Sequence, residues 1–293
     1  MNRRKFVATL AASTYIASTN IGSKTAFADT SKLGTSRITS VSTSGGFQVG
    51  FKSYPKSFSL GAKELILTFD DGPKPGSTSA VLKALRDQQV LATFFLIGQN
   101  AATNPELVKR IAADGHTIGT HSNTHPMTMR DVTETRAKAD IEAGIQNVSK
   151  ILAENPNAAP LAPPLAPFFR YPGFGDTQAL NQWLNAKNIG IFGTDIWASD
   201  WMNMSAGTQL NLLMKRIRHA GRGIVLLHDI HQQTADMMPD FLQILRIEGY
   251  KIVHMVAGSS PALLQEAAPD WSSETDRFLN SRSTHKSWPR YND

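Results

Sequence analysis

The chain has no cysteine. Disulfides, thiolate metal sites and cysteine nucleophiles are therefore excluded, and any bound metal must be held by histidine and carboxylate. It also lacks an apolar run of about 18 residues, the length a spanning helix needs, which excludes a multi-span membrane protein. Charged residues are sparse at 18% against 41% hydrophobic, the balance of a globular chain. The basic excess is partly local. Arg3, Arg4, Lys5 and Lys24 lie in the first 28 residues with no acid beside them, so the net charge of +6 falls to +2 without that segment. The remainder holds no Lys/Arg cluster that would track phosphates, and a nucleic-acid partner is not expected.

Those first residues read as an export signal. Arg3-Arg4-Lys5 is a basic start, Phe6 to Ala17 is moderately apolar, and Ala26-Phe27-Ala28 is a small-x-small cleavage site. The paired arginines followed by Phe6 resemble a twin-arginine signal, with a general secretory signal as the alternative. The expected mature chain begins at Asp29, is periplasmic or extracellular, and keeps no membrane span after processing.

Residues 29–60 are rich in Ser, Thr and Gly and read as a surface extension, with Ser44-Gly45-Gly46 turning a small hairpin between Ile38–Val41 and Phe47–Phe51. From Glu64 onward, apolar runs alternate with helical patterns. Strands are expected at 65–69, 91–97, 116–120, 168–171, 189–194, 223–228 and 251–256. Helices are expected at 79–87, from Asn104 as N-cap with Pro105 at the first position, and at 131–152, 177–186, 208–220 and 234–248. Seven strands alternating with helices require crossovers and predict a parallel α/β fold, an irregular (β/α) barrel. Residues 61–258 form this domain. Asn155 to Pro167, with five prolines, is a stiff loop that is either a groove wall or an insertion. Residues 259–293 are a polar tail, carrying Trp271 and Trp288, expected to pack on the barrel.

Short polar motifs follow the apolar runs, where barrels and open α/β sheets place their ligands. Asp70-Asp71 precedes Gly72-Pro73, and neighbouring side chains at a strand end point apart, so one carboxylate can bind a metal while the other faces substrate water. Taken alone, such a pair is more often a surface turn. His121 and His125 are four apart, with Pro126 favouring a loop over a helix. Two imidazoles and one carboxylate, Asp71, are a common set for a catalytic divalent metal, with positions left open for water and substrate. His228 ends the run Ile224–Leu227, and the polar Asp229-Ile230-His231 after it suggests a ring that meets solvent or substrate. A pKa near the ordinary value of about 6.5 suits it to proton donation. Arg170 follows Phe168-Phe169 and needs a carboxylate partner, and Asp200-Trp201 offers a carboxylate beside a large aromatic ring.

The motifs at Thr68–Pro73, His121–Pro126, Phe169–Gly173, Asp200-Trp201 and Leu226–His228 occur in one order, and the set resembles the polysaccharide deacetylase family, the fourth carbohydrate esterase family. The resemblance spans residues 61–258 and implies a distorted (β/α)7 barrel. It implies that Asp71, His121 and His125 hold a divalent metal, zinc first, with cobalt, nickel or iron as alternatives. Asp70 would be the general base, Arg170 would hold it, and His228 would protonate the leaving group with Asp200 raising its basicity. Leu226 and Trp201 would line the acetyl pocket, and a backbone N–H of the arginine motif would hold the oxyanion.

Two places depart from the family pattern. Gly173 stands where Tyr or Phe is usual, and Trp197 where an acid is usual. The implied activity is metal-dependent hydrolysis of N-acetyl or O-acetyl groups on an exported glycan: peptidoglycan, a chitin-type chain, a biofilm glucosamine polymer or acetylxylan. A non-glycan amide hydrolase on the same scaffold and a non-catalytic carbohydrate-binding relative are the alternatives.

Overall fold

The structure, a computed structural model, describes residues 31–154 and 165–284. The predicted signal at 1–28, most of the proline-rich loop and Trp288 lie outside the described residues. Three strands come first: β1 (Thr35–Val41), β2 (Phe47–Val49) and β3 (Lys56–Phe58). Then follow β4 (Glu64–Asp70), α1 (Ser77–Asp87), β5 (Thr93–Leu96), α2 (Gly98–Thr103), α3 (Pro105–Ala113), β6 (Thr117–Thr120) and α4 (Glu134–Ala153). After these come β7 (Phe168–Phe169), α5 (Gln178–Ala186), β8 (Gly190–Phe192), β9 (Ile196–Trp197), α6 (Ala206–Ala220), β10 (Gly223–His228), α7 (Gln232–Ile247) and β11 (Lys251–Ala257). β12 (Leu264–Glu266) and α8 (Glu274–Thr284) end the described chain.

The fold is α/β, a distorted (β/α)7 barrel whose strands β4 to β8, β10 and β11 answer to the seven predicted ones. The main sheet is parallel, and β10, β4, β5, β6, β7 and β8 are neighbours in that order. The distortion has two sources. One edge of β4 carries β10 from Leu65 to Asp70, while the other is divided between β11 at Glu64 and Leu65 and β5 at Thr68 to Asp70. On the far side, β8 pairs with β2 and β9 pairs with β10, so no ladder joins β8 to β9 among the described residues.

The hairpin expected at 38–51 does not form. β1 pairs in parallel with β11 and β2 in parallel with β8, at opposite ends of the sheet order. A local turn pattern is overridden here because two sheet edges of distant sequence offer backbone partners and apolar cover. Val41, Val49, Phe58 and Leu60 pack in one core cluster with Phe168, Phe192 and Met255, so the segment is part of the barrel wall rather than a surface appendage. The largest core cluster lies between the sheet and its helices, with Leu65, Leu67 and Phe69 of β4 facing Phe241 and Leu242 of α7 and Leu82 of α1. The near-continuous apolar reading of β4 and β10 follows from burial on both faces.

Helix boundaries follow local chemistry. Ser205 accepts a bond from Thr208 N to cap α6, and Gly221 ends that helix in the left-handed conformation. Asn104 precedes α3 as expected, but its side chain makes no cap. Its amide donates back to the Asn100 and Pro73 carbonyls instead, so it fastens α2 and the Gly72-Pro73 turn. The described part of the tail packs on the barrel: β12 pairs antiparallel with β3, and Trp271 donates its indole N–H to the Phe51 carbonyl at 2.7 Å. No helix among the described residues is long and apolar enough to cross a membrane.

Candidate active site

Strand register brings the motifs level. His228, the last residue of β10, pairs with Asp70, the last of β4, and Thr120 pairs with Phe169, so His121 and Arg170 leave neighbouring strand ends together. Just beyond, Asp71 has φ 74°, Ser122 φ 64° and His125 φ 53°. Left-handed backbone at three non-glycine residues costs about 1–3 kcal/mol each and collects where side chains must be aimed against local preference.

Asp71 Oδ1 lies 3.4 Å from His121 Nε2 and 3.2 Å from His125 Nε2. The donor atoms of these three residues all fall within 4.8 Å of one another. His121 Nδ1 is 2.8 Å from the Arg170 carbonyl, so the proton sits on Nδ1 and the Nε2 lone pair faces Asp71. Asp71 Oδ1 is buried without a hydrogen-bond partner. An unsatisfied carboxylate oxygen facing two imidazole nitrogens is an arrangement that a divalent cation satisfies, and the residues therefore fit the implied metal. Burial pushes the Asp71 carboxyl up, but the adjoining His121 and His125 imidazoles and the charge of His228 outweigh it and hold the carboxyl well below its ordinary range.

Asp70 is held from behind. Arg170 is fully buried and spends its guanidinium on four acceptors: Asp70 Oδ1 at 2.7 Å, Thr68 Oγ1 at 2.8 Å, the Gly193 carbonyl at 2.8 Å and the Phe192 carbonyl at 3.2 Å. Its Cζ lies 4.4 Å from the Phe95 ring centroid. A buried cation persists only when paired and bonded in this way. Arg170 thus serves both halves of the site, its guanidinium fixing Asp70 and its carbonyl fixing His121.

His228 stands opposite. Its Nδ1 is 2.7 Å from Asp200 Oδ1, and its backbone N–H donates to Asp200 Oδ2 at 2.6 Å, where Thr234 Oγ1 also donates at 2.8 Å. Nδ1 is thereby the anchored nitrogen, and Nε2 faces the cavity 4.0 Å from Asp71 Oδ2. The expectation of an ordinary pKa does not hold. Burial alone would lower it, but the charge of Asp200 and its hydrogen bond, with Asp71 and Asp70 behind them, raise it to about 10. Nor is the loop after His228 wholly solvent-facing, because Asp229 turns inward and accepts from Thr78 Oγ1. Burial pushes its carboxyl up to about 7. Gly72 makes room for it, since a Cβ there would meet Asp229 Oδ2 at 2.3 Å.

Asp70, Asp71, His121, His125 and His228 open on one cavity of about 600 Å³, also lined by Leu226, Trp201 and Gly173. The two sequence departures prove to be coupled. Gly173 has φ 55°, and a Cβ there would meet the Met127 carbonyl at 2.4 Å, so the usual aromatic residue cannot stand in this conformation. Phe174 supplies the ring instead and stacks on Trp197, with centroids 6.4 Å apart and planes 22° apart.

Sequence reasoning missed several supporting residues. Thr68 and Thr234 are isolated polar positions in buried faces, a weak signal visible only once the site is known. Asp140 of α4 carried none. Its carboxylate accepts from Asn123 N at 3.1 Å, Thr124 N at 3.4 Å and Thr124 Oγ1 at 2.8 Å, fastening the loop between His121 and His125. Asp140→Asn, which replaces one acceptor oxygen by a donor, is expected to weaken zinc binding about 10- to 100-fold. Competition with a chromophoric chelator measures this, and an unchanged affinity would contradict the role.

The sequence family described as polysaccharide deacetylase matches residues 59–176. A peptidoglycan-N-acetylglucosamine deacetylase of Bacillus cereus is 33% identical over 199 residues, which cover 65% of this chain and 85% of that protein. The chain belongs to the polysaccharide deacetylase family. It is also similar to the peptidoglycan-N-acetylglucosamine deacetylase PgdA of Listeria monocytogenes, at 33% identity over 194 residues, covering 65% of this chain but only 38% of that protein. Among solved structures, a peptidoglycan deacetylase of Bdellovibrio bacteriovorus superposes with TM-score 0.67 at 33% identity, covering 78% of this chain and 60% of that one. The family match takes in Asp70, Asp71, His121, His125, Arg170 and Gly173.

Proposed function

We propose that the chain is an exported, metal-dependent deacetylase that hydrolyses acetyl groups on a cell-wall or extracellular glycan, N-acetyl amides of glucosamine first. One observation carries the reading: an Asp-His-His donor set, with Asp71 and His121 buried, lies between an arginine-held carboxylate and an aspartate-held imidazole, all on one cavity. The similarity to proteins named peptidoglycan deacetylases supports a glycan substrate. The basic and apolar character of residues 1–28 supports export.

Asp71, His121 and His125 would hold the metal, and zinc suits two nitrogens and one carboxylate oxygen. When bound, the cation supplies Lewis acidity to an acyl carbonyl and acidifies water. The chain's own groups do the rest. Asp70, oriented by Arg170, takes a proton from the attacking water. The Gly173 N–H is the donor assigned to the oxyanion. His228 delivers a proton from Nε2 to the leaving nitrogen, without which an amine does not depart. Leu226 and Trp201 form an apolar wall suited to the acetyl methyl.

The test is acetate release by the zinc-loaded protein from chitooligosaccharides, peptidoglycan and acetylxylan. Release from an N-acetylated glycan is the expected result. Release from acetylxylan alone would shift the reading to an ester substrate. An inert panel with a full metal site would turn the reading to a non-glycan amide or to glycan binding.

A further inference from the structure

The cavity has a wall that the family match does not contain. α8 lies about a hundred residues past the matched segment, yet Thr275 and Phe278, three apart and so on one helix face, both line the cavity. Phe278 is 40% exposed, a large apolar ring kept at the surface. The helix is fastened at several points. Arg130 Nη2 binds Asp276 Oδ1 at 2.6 Å and Asp176 Oδ1 at 3.4 Å, joining α8 to the turns beside the metal-ligand and arginine motifs. Thr275 N donates to the Lys52 carbonyl at 2.9 Å, and Lys52 Nζ pairs with Glu274. The same Lys52 Nζ lies 5.2 Å from the centroid of the Trp197 ring, so Lys52 touches both α8 and the aromatic shelf. That shelf is continuous: Phe174 stacks on Trp197, Trp197 meets Trp201 edge-on at 6.0 Å, and Trp201 meets His228 at 5.8 Å.

We propose that Phe278 of α8 and the Phe174–Trp197 pair bound an accessory sugar subsite next to the reacting one, which takes the neighbouring pyranose of an extended β-linked N-acetylglucosamine chain. The inference rests on the glycan reading above and adds where the flanking sugar sits and which residues select chain length. A pyranose ring offers apolar C–H faces, and aromatic walls with few polar groups are suited to hold them. Trp197 in place of an acid removes a charge from this wall, and Phe174 in place of the usual ring at position 173 moves the aromatic surface toward Trp197. Both departures thus serve one surface. The ion pairs of Arg130 and Lys52 hold α8 beside the shelf.

The experiment compares kcat/KM for acetate release from two-sugar and five-sugar N-acetylglucosamine oligomers. It uses the full zinc-loaded chain as wild type, Phe278→Ala and Phe278→Tyr. Wild type should prefer the longer oligomer. Phe278→Ala should cut that preference about tenfold through KM on the five-sugar substrate, and Phe278→Tyr should restore most of it. A merely structural role would lower both substrates together and leave their ratio unchanged, which would overturn the proposal. So would a wild type with no length preference. No release from either oligomer by wild type overturns the subsite, whereas the functional reading fails only when peptidoglycan and acetylxylan are inert as well.

Discussion

Asp70→Asn is expected to lower kcat for acetate release by about 10²–10⁴-fold while the metal site still fills. The asparagine keeps an oxygen toward Arg170 Nη1, now 2.7 Å from Asp70 Oδ1, so the geometry survives while the proton acceptor is lost. A second effect comes with it. Arg170 is fully buried, and Asp70 is the carboxylate bonded to it, so removing that charge leaves a buried cation paired only with neutral oxygens. Breaking a buried pair costs about 3–5 kcal/mol, and the retained hydrogen bond should keep the loss at the lower end. Near-UV circular dichroism and a zinc titration of the variant separate the two effects. A folded, zinc-loaded Asp70→Asn protein with near-normal turnover would remove Asp70 from the role of base.

The second large effect is expected at Asp200→Asn. Asp200 anchors Nδ1 of His228 and raises the ring's pKa. With asparagine the ring loses its charge partner, both tautomers become accessible, and less of the protonated acid is present at neutral pH. A fall in kcat of about 10²–10³-fold is expected, from general-acid loss together with tautomer loss.

The pH dependence has a definite sign. His228 has a raised folded pKa of about 10 against an ordinary value of about 6.5. Its protonated form therefore contributes stability that is fully present below about 6.5 and is lost as pH rises through the folded value. A cation on Asp71 opposes the share of the raise that comes from Asp71 and Asp70, so the alkaline limb in the loaded enzyme lies below about 10. In Asp200→Asn that limb should move to lower pH, and an unmoved limb would show that His228 is not the group it reports.

The readable part of this protein was the part written locally. β4 and β10 are apolar runs buried on both faces, and each ends in a chemical residue, so strand and site were visible together. α6 was visible because Gly221 stops it. What escaped was non-local. Thr35 to Val41 and Phe47 to Val49 look like the arms of a hairpin because Gly45 and Gly46 lie between them, yet their partners are β11 and β8. β9 is two residues long and exists because β10 offers it an edge. α8 has a weakly amphipathic sequence and gains its place from Arg130 and Lys52. At the site, identity of the chemical groups was legible, but the raised pKa of His228, the inward turn of Asp229 and the grip of Asp140 on the histidine loop depend on burial that no spacing reveals.

The central claim is that Asp71, His121 and His125 hold one metal on which the hydrolysis depends. The most direct test strips the protein with a chelator, titrates zinc back, and follows both bound metal and acetate release from a chitooligosaccharide. Release should be absent at the start, rise in proportion to bound zinc and level off at one zinc per chain, with His125→Ala showing neither tight binding nor release. Full acetate release by the chelated protein would contradict the claim.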